Sequence, residues 1–182
     1  MKEAFAAINQ TSYEFREKYE NIELIIYSIA VFVIPLLFPH PQLLTGTLVN
    51  ALLIMAALHF KGWKILPVVI LPSAAAILSG VLFGPFTMFI AYMMPVIWMG
   101  NLAFVYLFKK LHIAQNMNYW PALGISAVAK SALLFGAAFI FVNLDVIPAI
   151  FLTAMGIIQL GTAIAGGIAA FGIRAAYIHL LK

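Results

Sequence analysis

Six apolar runs, each cut off by a cluster of Pro, Gly, Asn or Lys, constrain what this chain can become. They occupy positions 24–38, 44–60, 66–83, 86–108, 120–142 and 146–172. Each lies near the roughly 17 to 25 residues that cross a hydrocarbon core. The expected fold class is an all-α polytopic membrane protein of six transmembrane helices preceded by an amphipathic N-terminal helix. The first two runs are short, so flanking residues must extend them into the interface, or the second is partly broken near its outer end.

Composition excludes the soluble alternative. Apolar residues make up 65% of the 182 positions and charged residues 9%, the mean hydropathy is +1.07, and a soluble domain carries about 25% charge. No cysteine is present, which rules out disulfides, thiolate nucleophiles and cysteine-ligated metal.

Charge placement predicts an orientation. Lys2, Arg16, Lys18, Lys61, Lys64, Lys109, Lys110, Arg174 and Lys182 all fall on one side of the six runs, and the three loops on the other side carry no Lys or Arg. Polytopic proteins keep such residues in short cytoplasmic loops, so both termini and the 61–64 and 109–119 connections are expected inside. The net charge of +4 then reflects topology and contact with the lipid bilayer rather than with nucleic acid.

Positions 1–23 form a separate expected unit before the 24–182 transmembrane domain. Phe5, Ile8, Phe15, Tyr19 and Ile22 recur at helical spacing among Glu3, Glu14, Arg16, Glu17 and Glu20, the pattern of an amphipathic helix on the membrane face or on the inner loops. The first run is expected to stay as a span, because acidic residues precede and enter it and no small-residue cleavage site follows. Pro39-His40-Pro41, Gly84-Pro85 and Asn143-Leu144-Asp145 punctuate the outer turns.

Lys130 is the tenth cation, and it falls inside the fifth run. About ten residues from the start of that run, at 1.5 Å per residue, it reaches about 15 Å into the membrane. A centred lysine costs about 2.5 to 3.5 kcal/mol on insertion scales, so its ammonium needs a partner, a wet cavity or a ligand. No other span contains an acidic side chain. Ser126 lies one turn away on the same helix face. Asn50, Asn101 and Gln159 are further intramembrane polar groups, and Trp98 extends the Asn101 face outward. Each amide alone reads as interhelical glue, but together with Lys130 they outline a substrate-binding cavity.

In the last run Gly156, Gln159, Ala163, Gly166 and Ala170 share a small-residue face suited to close helix packing. His40, His59, His112 and His179 are scattered, without metal-ligand spacing or partnering carboxylates. No cofactor or metal is expected. The sequence holds no GxxxxGK[ST] phosphate loop.

The stretch Thr-Gly-Thr-Leu-Val-Asn-Ala-Leu-Leu (Thr45 to Leu53) opening the second run, and Met-Pro-Val-Ile-Trp-Met-Gly-Asn (Met94 to Asn101) in the fourth, resemble the substrate-binding subunits, or S components, of energy-coupling factor transporters. The resemblance implies a multi-pass protein of a prokaryotic cell membrane that captures a small-molecule substrate, such as a vitamin or its precursor, in an outward-facing cavity. It also implies a partner, a transmembrane coupling subunit with two ATPases. Carried over to matching positions, Trp98 and Asn101 would line or support the cavity. Ser28, Ala30 and Phe32 give no clean version of the alanine row that the family often uses for docking.

The functional expectation is therefore solute capture, for a compound with an acidic or carbonyl group. An accessory subunit with Lys130 paired to another chain, and an autonomous transporter or channel, are the alternatives. Intramembrane enzymology ranks last, because no nucleophile and base, carboxylate dyad or metal triad is present.

Overall fold

A computed structural model describes residues 6–12 and 17–180, without the side chains of 17–18 and 177–180. Lys2, Glu3, Phe5, Glu14, Phe15, Arg16 and Lys182, with the side chains of Glu17, Lys18 and His179, lie outside the described part. Six helical stretches are long and apolar enough to cross a membrane, and the described residues form no strand. The fold is that of an all-helical, multi-pass membrane protein.

The helices are α1 (Glu17–Leu37), α2 (Gln42–His59), α3 (Leu66–Ser79), α4 (Ile90–Phe108), α5 (Tyr119–Asn143), α6 (Ile150–Met155) and α7 (Ile157–Leu180). Tight 3₁₀ turns at Gly62–Ile65 and Gly84–Phe89 lead into α3 and α4, and a π-helical turn, Lys109–Ala114, continues α4.

Several boundaries differ from those expected. The border between positions 23 and 24 is not an element boundary, because α1 runs through it. Its acidic start is accommodated by pairing: Lys64 Nζ lies 2.9 Å from Glu20 Oε2, and His59 Nδ1 lies 2.5 Å from Glu23 Oε1. His59, expected to lack a carboxylate neighbour, therefore has one. The helical turn at residues 6–8 is separate from α1, and the Ser12 amide ties the following segment to the Leu58 carbonyl at 2.9 Å. At the other end of the bundle α3 stops at Ser79 rather than 83, because Gly80 adopts a left-handed φ of 69° and closes the helix. The connection expected to begin at Lys109 is helical up to Ala114. The last run is interrupted at Gly156.

α2 is the central helix, with every residue from 53 to 60 buried. α1 is peripheral: it packs on α3 and α2 and leaves Ile25, Ile26 and Ile29 more than half exposed, the surface a lipid-facing helix presents. α7 crosses α2 closely because glycines face it. A Cβ on Gly166 would sit 2.6 Å from Asn50 Cβ and 2.7 Å from the Ala51 backbone nitrogen.

The interior divides into two apolar clusters. One, toward the lysine-bearing end, holds Val69, Phe104, Val105, Phe108 and Ala127. The other holds Ala76, Ile90, Met93, Leu134 and Ala138. Along each of three helices the changeover occurs at polar or irregular residues: Pro72 and Ser73 in α3, Asn101 in α4, Lys130 in α5. A polar layer thus cuts across an otherwise apolar bundle.

Candidate binding cavity

The polar layer opens into a cavity of about 100 Å³. At its deep end are Asn50, Asn101, Lys130, Gln159 and Thr162, and toward the lysine-poor loops it reaches Gln42, Leu82 and Phe83. All seven helices and the turn after α3 contribute to it, as expected for a site built between helices of a bundle.

Lys130 is 2% exposed. Its Nζ donates to Asn50 Oδ1 at 2.6 Å and stands 5.3 Å from the centroid of the Phe104 ring. An ammonium has three donors, and a neutral amide oxygen does not balance its charge. Asn50 is itself held from two sides: its Nδ2 donates to Gly46 O at 2.8 Å and to Thr162 Oγ1 at 3.2 Å. The Thr162 hydroxyl donates in turn to Gln159 O at 3.2 Å. A chain of hydrogen bonds therefore links α5, α2 and α7 around the cavity floor and orients the lysine.

Four of the six residues expected at the site, Asn50, Asn101, Lys130 and Gln159, line this one cavity. Trp98 and Ser126 lie outside its lining. Ser126 is fully buried and donates to Ala122 O in its own helix at 2.7 Å. Trp98 Nε1 donates to Ser73 Oγ at 2.7 Å, and so supports a lining residue from behind. Asn101 Nδ2 donates to Val69 O at 3.0 Å, close to where Pro72 interrupts the α3 hydrogen-bond ladder. Trp98 and Asn101 thus brace α3 at its proline, and Asn101 also faces the cavity.

Thr45, Ser73, Thr162 and Gln42 are polar lining residues that sequence reasoning did not single out. A hydroxyl inside an apolar run carries no signal of its direction, because it can bond back to its own helix, as Ser73 does to Ile70 O at 3.0 Å.

The break at Gly156 also belongs to the site. Gly156 has φ −92° and ψ −102°, and Ser131 Oγ donates to its carbonyl at 2.7 Å. Met155, Ile158 and Gln159, on either side of the break, all line the cavity. Irregular backbone at membrane depth is tolerated where protein or a cavity can satisfy the freed groups, and discontinuous helices of this kind border solute sites in transporters. No protein-family model, curated protein or solved structure matches this chain.

Proposed function

We propose that this chain is a membrane-embedded solute-binding subunit that captures a compact organic acid, in the manner of an energy-coupling factor S component. One observation carries the reading. Lys130 is buried at mid-span on the wall of a cavity, and its acceptor is a neutral amide. A carboxylate entering from the Gln42 and Phe83 end would supply the missing negative charge, and a charge-assisted hydrogen bond of that kind contributes about 1.5 to 3 kcal/mol. Gln159 and Asn101 line the same cavity and offer neutral hydrogen-bonding groups suited to the rest of such a solute. The cavity is smaller than the roughly 300 to 1,000 Å³ of drug-sized sites, which favours a small acid, such as a vitamin precursor, over a large ligand.

The coupling half of the proposal rests on the six-span helical build, the two short motifs, and a sequence without a phosphate loop whose acids within the spans, Glu20 and Glu23, sit in the first turns of α1 and are paired with Lys64 and His59. Energy would then come from a separate transmembrane partner with two ATPases. The accessory-subunit reading is less well supported, because Lys130 points into its own bundle instead of toward a lipid-facing surface where another chain's acid could reach it. The test is native mass spectrometry of the gently purified chain, followed by a binding screen of small carboxylates. A retained or added acid that binds wild type and is lost in Lys130→Met supports the proposal, and equal binding to both sinks it.

A further inference from the structure

A second concavity lies on the outside of the bundle and shares no lining residue with the inner cavity. It has a volume of about 520 Å³ and a largely apolar wall formed by Ile65, Leu66, Met99, Leu102, Ala103 and Tyr106, with Ile8 and Asn9 at one margin. Met99 is 60% exposed, so the groove faces the membrane rather than the protein interior. A groove of this shape is filled in a bilayer, since wall atoms without neighbours forfeit their dispersion contacts.

Its lysine-bearing end carries the information about what fills it. Lys61 immediately precedes Gly62, a groove residue, and Lys110 follows Tyr106 by one helical turn. Between them Lys109 is fully buried, with Nζ donating to Phe60 O at 2.7 Å and to Ala57 O at 2.9 Å, so its charge adds to the same locus. Trp63, on the groove margin and 72% exposed, has the amphipathic ring that settles at headgroup level.

We infer that this groove is a site for one acyl chain of an anionic phospholipid from the leaflet at the lysine-bearing end, with its phosphate beside Lys61 and Lys110. The apolar wall selects the chain and the lysines select the headgroup. Each lysine near a membrane surface favours an anionic lipid by about 1 kcal/mol, roughly a fivefold preference. The inference is independent of what the inner cavity binds.

The experiment reconstitutes the full chain in phosphatidylcholine vesicles containing increasing fractions of bromine-tailed phosphatidylglycerol or bromine-tailed phosphatidylcholine. The Trp63 signal is isolated as the difference from Trp63→Phe. The brominated anionic lipid is expected to quench Trp63 at a mole fraction several-fold lower than its zwitterionic counterpart. Lys61→Gln with Lys110→Gln is expected to reduce that preference several-fold, and Ala103→Phe to weaken quenching by both lipids. Equal quenching by the two headgroups, or a preference unchanged in the double lysine variant, overturns the inference. A photoreactive side chain at the exposed Met99 position gives a second reading in intact membranes that does not depend on refilling the groove. Adducts to phospholipid support the site, and adducts to a polypeptide overturn it.

Discussion

Lys130 Nζ and Asn50 Oδ1, 80 positions apart in sequence, meet at 2.6 Å on the floor of a membrane-embedded cavity. The lysine is oriented by this contact but not neutralised, and the two residues therefore respond differently to substitution. Lys130→Met removes an insertion cost of about 2.5 to 3.5 kcal/mol and orphans one buried acceptor, at about 1 to 3 kcal/mol, so stability should stay level or rise slightly. Asn50→Leu leaves the ammonium without its acceptor and breaks the links to Gly46 and Thr162, so it should cost at least about 1.5 to 3 kcal/mol. The double variant is expected to recover much of that loss, and unfolding of the four proteins in detergent measures the cycle. A large stability loss in Lys130→Met alone would make the lysine architectural and remove the basis for a solute site.

Close packing of α7 on α2 gives a second prediction. Gly166→Ala forces a methyl group to within 2.7 Å of the Ala51 nitrogen and 2.8 Å of the Thr47 carbonyl oxygen, backbone atoms that cannot swing aside. A loss of about 1 to 3 kcal/mol is expected. Gly161→Ala, on the same helix with nothing within 4 Å of the new methyl, is the control and should be neutral. Thermal denaturation of the two variants decides the point, and equal midpoints would contradict the observed crossing.

The two lysines at the end of α4 should behave unlike each other. Lys109 is fully buried and donates to the last carbonyls of α2, whereas the neighbouring Lys110 is partly exposed. Lys109→Met is expected to lower stability by about 1 to 3 kcal/mol through its orphaned acceptors, while Lys110→Met stays within about 0.5 kcal/mol of wild type. Solute affinity should be unchanged in both, since neither residue lines the cavity. Unfolding curves together with a binding isotherm separate these outcomes.

Lys109 also shows where sequence reading ran out. As a lysine after an apolar run it looks like any loop cation, and its inward direction depends on where α4 meets the end of α2, whose Ala57 and Phe60 carbonyls it reaches. Lys130 was legible because an apolar run on both sides left it no route to water. Asn50 was legible as an intramembrane amide, but its pairing with Lys130 depends on how α2 and α5 are placed in the bundle, which hydrophobic periodicity does not encode. The small-residue face of the last run correctly signalled close packing at Gly166. Gly156 looked like part of the same row. It is in fact a break, and the residues that meet it, Ser131 on its carbonyl and Phe135 where a side chain would go, belong to another helix.

Orientation remains open to direct measurement. The lysine-poor loops and the lysine-bearing turns lie at opposite ends of the bundle, and the charge asymmetry predicts that Lys110 faces the cytoplasm and Asp145 the outside. The chain has no cysteine, so single cysteines at these two positions give an unambiguous labelling assay. An impermeant maleimide applied to intact cells should modify the cysteine at 145 and spare the one at 110. The reverse pattern would invert the proposed route of solute entry.

The sharpest test of the cavity compares a residue of its lining with one outside it. Gln159 lines the cavity beside Lys130, while Trp98 stands behind the wall and donates to Ser73 Oγ at 2.7 Å. Gln159→Leu should weaken binding of a small carboxylate by about 0.5 to 1.5 kcal/mol, the usual contribution of one neutral hydrogen bond, with little effect on unfolding. Trp98→Phe keeps the ring bulk but removes the indole donor, so it should cost about 1 kcal/mol of stability and leave affinity nearly intact. Binding isotherms and unfolding curves on both variants resolve the two effects. If Trp98→Phe abolishes binding while Gln159→Leu does not, the solute sits on the α3 and α4 side of the polar layer, and the assignment of Lys130 as its anchor fails.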